Sequence, residues 1–112
     1  MALSKNEIDN IIKGFIDELQ QIMPLKEVIL FGSYAQGKAK EYSDIDLAII
    51  SNWFGKKTKI ESMKQLSRMA ASYNTLIEAI PFTEEEYDNL DKRTFLASII
   101  KNGRSYRNLV EQ

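Results

Sequence analysis

Large apolar residues recur at helical spacing early in the chain: Ile8, Ile11, Ile12, Phe15, Leu19 and Ile22 are one, three or four positions apart, which places them on one helix face. Ser4 and Glu7 precede that run at capping-box spacing. A helix is therefore predicted over residues 5–22, ended by Pro24. The pattern then changes. Val28-Ile29-Leu30-Phe31 is a continuous apolar run stopping at Gly32, which predicts a buried strand. Residues 34–42 hold Gly37, several charges and no sustained period, so a short helical turn and a loop are expected there. Ile45-Asp46-Leu47-Ala48-Ile49-Ile50 is the second strand.

Thr58 and Glu61 repeat the capping-box spacing. Behind them Ile60, Met63, Leu66, Met69, Ala70 and Tyr73 mark the apolar stripe of a second long helix, read as core. Residues 75–82 predict a third strand, interrupted in composition by Glu78 and closed by Pro81. Thr83 with Glu86 opens a third helix, and Phe95, Leu96, Ile99 and Ile100 mark a fourth, stopped by Gly103. The order α-β-β-α-β-α-α predicts an α/β (α+β) domain, with a small sheet of three to four strands and about four helices. Strand directions stay open. No repeat or linker interrupts residues 1–112, which read as one domain.

Composition narrows the chemistry. The chain has no histidine and no cysteine, which excludes Ser-His-Asp and Cys-His mechanisms and thiolate or imidazole zinc sites. A general base must then be a carboxylate, Lys or Tyr. A metal site must be oxygen-rich, favouring Mg²⁺, Mn²⁺ or Ca²⁺. A formal net charge of −1 argues against a surface built to grip nucleic acid. No apolar stretch approaches membrane-span length, and Met1-Ala2-Leu3-Ser4-Lys5 lacks the apolar region of a secretory signal. A cytoplasmic location is the expectation.

One constellation stands out: Phe31-Gly32-Ser33, then, after ten intervening residues, Asp44-Ile45-Asp46. A strand that ends in Gly-Ser and turns into a helix exposes backbone N–H groups, a ready anion site. Glycine lets the backbone approach a phosphate, and the Ser33 hydroxyl adds a donor. Asp44 and Asp46 are two apart on a strand, so their side chains leave the same face, with Cα atoms roughly 6–7 Å apart. They can converge on one Mg²⁺ or bridge a pair about 3.5–4 Å apart. Ile45, Leu47 and Ile49 point the other way, into the core. Taken separately, each piece is ordinary turn chemistry. Asp46 in mid-run among apolar residues, however, contradicts strand propensity, and such violations mark functional sites.

Leu30-Phe31-Gly32-Ser33-Tyr34-Ala35-Gln36-Gly37 with Ser43-Asp44-Ile45-Asp46-Leu47 resembles the signature of the DNA polymerase β-like nucleotidyltransferase superfamily. The chain's size resembles its minimal nucleotidyltransferase (MNT) branch. The resemblance implies a mixed sheet flanked by helices, with Gly32-Ser33 on the phosphates of a nucleoside triphosphate. It also implies two divalent ions, Mg²⁺ with Mn²⁺ as substitute, on Asp44 and Asp46. Tyr34 and Gln36 stand where many relatives carry arginine. Relatives usually bear a third acidic residue on a later strand. Here that is Glu78, as metal ligand and general base, against the plainer reading of an edge-strand glutamate facing solvent.

Within this branch the resemblance implies an antitoxin paired with a HEPN ribonuclease toxin, adenylylating a tyrosine of the toxin with ATP. Two rivals remain: transfer to a small molecule, as in aminoglycoside nucleotidyltransferases, and a non-catalytic antitoxin that masks its partner by binding. Direct nucleic-acid or membrane binding is not expected, and a homo-oligomer is left open. Lys56, Lys57 and Lys59 read as a solvated loop, with reach to a triphosphate as the alternative. Of Trp53 and Phe54, one is expected to pack and the other to line a nucleotide or protein contact.

Overall fold

Ser4 starts the first helix as its spacing predicts. Its hydroxyl accepts from Glu7 N–H at 3.1 Å and Glu7 Oε1 accepts from Ser4 N–H at 2.9 Å. In the computed structural model, which describes residues 2–110, helix α1 runs Lys5–Gln20 and buries Ile8, Ile12, Phe15, Ile16 and Leu19. It stops short of Ile22, which is half exposed. Strand β1 (Glu27–Phe31) leads into a single helical turn, α2 (Ser33–Gln36), and then β2 (Ile45–Ile50). A 3₁₀ turn at Asn52–Lys56 precedes α3 (Lys59–Tyr73) and β3 (Ile77–Phe82). Helices α4 (Glu84–Asp88) and α5 (Phe95–Asn102), a two-residue strand β4 (Arg104–Ser105) and α6 (Arg107–Val110) complete the described residues.

The four strands form one mixed sheet in the order β3-β2-β1-β4. β1 lies antiparallel to both β2 and β4, while β2 and β3 are parallel. The parallel pair needs a crossover, and α3 supplies it. The two inner strands are apolar apart from Glu27 and Asp46, because both of their faces are covered. Val28, Leu30, Ile45, Leu47 and Ile49 join α1 and α3 in one core. Ile29, Ala48 and Ile50 meet Leu96 and Ile99 of α5 in the other. In β2 only Asp46 escapes full burial, because it lies where the cover from α5 runs out.

Two features depart from the periodicity. α3 turns Ser62, Leu66 and Ala70 inward, a row spaced by four, and leaves Ile60 and Met63 exposed. Its stripe is thus core only in part. Thr58 accepts from Glu61 N–H at 3.1 Å but meets the Glu61 carboxylate with its hydroxyl rather than its backbone, so only half of a capping box forms. Thr83 and Glu86 form the complete box. Pro81 lies inside β3, which tolerates it because β3 is an edge strand.

β4 carries no apolar alternation and was not anticipated as an element. Gly103 makes it possible: a Cβ there would stand 2.5 Å from Ile99 O and 2.7 Å from Leu30 O, so only glycine lets the chain pass this close to β1. Tyr106 then ties the segment to α1. Its hydroxyl donates to Asp9 Oδ1 at 2.5 Å and accepts from Arg104 Nη2 at 2.8 Å. Burial, and after it the bond to Asp9, pushes the phenol up to about 12. No helix among the described residues is long and apolar enough to cross a membrane.

Candidate metal and nucleotide site

The site forms where β1 ends, β2 begins and β3 begins beside it. Register explains the convergence. Asp46 faces Phe31 across the antiparallel pair and Glu78 across the parallel pair. The three carboxylates expected from the sequence therefore meet: one oxygen each from Asp44, Asp46 and Glu78 lie within 4.8 Å of one another. Asp44 and Glu78 are exposed and Asp46 is half-buried. β3 is an edge strand, yet Glu78 turns toward the acidic pair rather than standing alone in solvent.

Electrostatics fit a cation. Asp46 is pushed up from 3.8 to about 6, first by burial and then by the charges of Glu78 and Asp44. Like charges held this close repel unless a positive charge is shared among them. Carboxylate oxygens bind Mg²⁺ at about 2.0–2.1 Å in an octahedron that phosphate oxygens can complete. Three convergent acidic side chains with no nitrogen or sulfur donor suit such a hard ion.

Gly32 is the hinge of the site, for a reason beyond the one expected. Its φ of 73° and ψ of −153° lie in a region that is essentially glycine-only. A Cβ at this position would also overlap Asp46 Oδ2. Glycine here thus serves the carboxylate beside it as well as any phosphate approaching the turn. Ser33 opens α2 directly after it. Gly32→Ala is expected to cost about 1–3 kcal/mol of stability through the forced backbone, and to displace the Asp46 carboxylate. Calorimetric titration with Mn²⁺ should then show weakened binding at temperatures where the variant is still folded. Unchanged Mn²⁺ affinity would mean that Asp46 does not depend on this close approach.

The structure sends other candidates elsewhere. The 3₁₀ turn and its lysines lie at the far end of β2, beyond Ile50, about 13 Å along the strand from Asp46 at roughly 3.3 Å per residue. Lys57 Nζ sits 3.8 Å from the Trp53 ring centroid and donates to Gln65 Oε1 at 2.9 Å. Lys59 donates to Pro81 O and lies over Phe82. Phe54 is buried while Trp53 is half-buried beneath Lys57. One of the two aromatics packs, as expected, but the other does not line this site. Tyr34 points toward α1, where its hydroxyl accepts from Leu3 N–H at 3.2 Å. Phe95, one of the apolar residues that mark α5, is 57% exposed and meets Phe31 edge-on, with ring centroids 5.7 Å apart.

Comparison with known proteins agrees with this geometry. A family model described as a nucleotidyltransferase domain matches residues 12–108. A Methanocaldococcus jannaschii protein whose name describes a protein adenylyltransferase is 35% identical over 103 residues, spanning 89% of this chain and 95% of that one. A solved Sulfolobus solfataricus structure described as a nucleotidyltransferase aligns with a TM-score of 0.64 at 22% identity, covering 95% of this chain and 90% of the other. A solved variant of the MntA-HpeT toxin–antitoxin pair aligns with a TM-score of 0.52 at 19% identity, covering 92% and 72%. At such identities the two solved structures speak for the fold.

Proposed function

The chain belongs to the nucleotidyltransferase domain family, and on that premise we propose that it is a Mg²⁺-dependent protein adenylyltransferase. In this reading it moves AMP from ATP to a tyrosine hydroxyl of a cognate HEPN-type toxin and thereby acts as an antitoxin. The observation that carries the reading is the meeting of Asp44, Asp46 and Glu78 beside the Gly32-Ser33 turn. The relative named for protein adenylylation supports the acceptor class, and the pair seen in a protein of this fold supports a toxin partner.

Each residue has a defined task. The acceptor oxygen forms a bond to the α-phosphorus while the bond to the pyrophosphate leaving group breaks. Bound Mg²⁺ supplies charge neutralisation for the phosphate oxygens. Asp44 and Asp46 hold the metal-bearing triphosphate in place, and the glycine turn lets it lie close. Ser33 donates its hydroxyl to a phosphate oxygen. Glu78, exposed and free of a hydrophobic cage, takes the proton from the acceptor hydroxyl as general base.

Intact-mass spectrometry tests this directly. After incubation with ATP and Mg²⁺, the cognate toxin should gain the mass of AMP and lose ribonuclease activity. Calorimetry should show ATP binding that weakens about tenfold or more in EDTA, because three carboxylates repel a bare triphosphate. Silencing of the toxin without any gain in mass would replace this reading with masking by binding. Equal ATP affinity with and without metal would remove the proposed site.

A further inference from the structure

Resting on the nucleotidyl-transfer reading, we propose that Phe95, braced by Phe31, is the platform on which the base of the nucleoside triphosphate stacks. On one side of the sheet, Ile45, Leu47 and Ile49 are fully buried beneath α1 and α3, so nothing can enter there. The Gly32-Ser33 turn is taken up by phosphates. The sugar and base attached to the α-phosphate must therefore run across the other face, the one that bears Asp46 and Glu78.

That face leads to two aromatic rings. Phe31 is the cross-strand partner of Asp46, so the two side chains leave the same face with Cβ atoms about 4.5–5.5 Å apart. Phe31 in turn meets Phe95 edge to face at 5.7 Å and 87°. Such a pair occupies only one ring face, and Phe95 keeps more than half of its surface exposed. The helix explains why. Leu96 and Ile99 are the residues of α5 that cover the sheet, while Phe95, first after the Thr94 cap, stands beyond that cover. A core role would have buried it.

A groove begins at the same ring. Phe95 shares it with Leu96 and Phe82, which are apolar, with Asn89 and Thr94, and toward its far end with the charged Lys59, Glu86 and Asp91. An exposed aromatic ring with apolar neighbours and polar groups around them is a setting that heteroaromatic rings take. Asn89 offers both a donor and an acceptor to the edge of a base. Stacking is tolerant of base identity but grows with ring area, so purine triphosphates should bind ahead of pyrimidine ones.

Calorimetry separates the base from the phosphates. With Mg²⁺ present, Phe95→Ala should weaken ATP binding roughly 5- to 150-fold, and Phe95→Tyr should restore it. Inorganic tripolyphosphate, which has no base, should bind both variants and the unaltered protein alike. Equal loss of tripolyphosphate affinity in Phe95→Ala would mean that the ring only supports the fold, and would overturn the proposal. Undiminished ATP affinity would overturn it too, by placing the base elsewhere. Failure of the unaltered protein to bind either ligand would overturn the nucleotidyl-transfer reading along with this one. Triphosphate binding without dependence on Phe95 overturns this one alone.

Discussion

Asp46→Asn abolishes transfer, yet the metal-free variant melts higher than the original protein at neutral pH. Both effects come from one carboxylate. Asp46 is the most buried of the three clustered acids, and its loss removes a charge that metal and triphosphate need. In the metal-free protein the same charge is a burden, since Asp46 is pushed up to about 6 by burial, Glu78 and Asp44. The unfolded chain releases this proton near the ordinary carboxylate value, and the folded protein only near pH 6. Stability is therefore lost as pH rises between about 4 and 6, and the loss persists above that range. Asparagine carries no such penalty. Taken in full, a shift of about two units corresponds to roughly 3 kcal/mol. Solvent screening of this part-exposed group reduces it to about 1 kcal/mol, or about 4 °C in a domain of this size.

Melting scans in EDTA at pH 4 and pH 7.5 provide the check. The two proteins should melt alike at the lower pH and separate at the higher. A variant that melts lower at both would make Asp46 a structural residue. Asp44→Asn is expected to abolish transfer as well, without loss of cooperative melting.

Glu78→Gln should slow transfer by about 10²–10⁴-fold, the range for removal of a general base. The substitution keeps size and hydrogen bonding. It also leaves Asp44 and Asp46 in place, so ATP binding with Mg²⁺ should fall much less than the rate. Asp46 gains from the change, because the larger of the two charges that repel it disappears. Toxin association should persist while the AMP adduct accumulates slowly, which time-resolved intact-mass measurement can follow. A variant that transfers at the original rate would show that Glu78 is not the base. A variant in which rate and nucleotide affinity fall together would make Glu78 a ligand first.

Much of this site is visible in the residues themselves, for a local reason. Asp44, immediately before β2, and Asp46 within it are two positions apart and their carboxylates meet, and the apolar run around Asp46 marks a strand buried on both faces. β2 accordingly spans the residues that its pattern predicts, Ile45–Ile50. Ser4, Thr58 and Thr83 cap their helices because capping depends on neighbours three positions away. Gly32 and Gly103 announce breaks in the pattern. Each of these signals is complete within about four residues.

What the sequence could not specify depends on elements distant along the chain. Asp46 and Glu78 are 32 positions apart, and only the parallel register of β2 with β3 sets them opposite each other. That register rests on how α3 crosses over the sheet, and α3 also decides that Ser62 faces inward while Met63 does not. A helical stripe says which residues share a face but not how much of that face finds a partner. The same holds for Phe95, whose apolar character reads as core until α5 is seen to end its cover one residue later. The lysines beside Trp53 are near Asp46 in sequence yet lie at the opposite end of the strand, because β2 carries the chain away from the site. Local periodicity thus determined the longer elements and the acidic pair, whereas long-range packing decided where β4 forms, which side chains complete the site and which stay outside it.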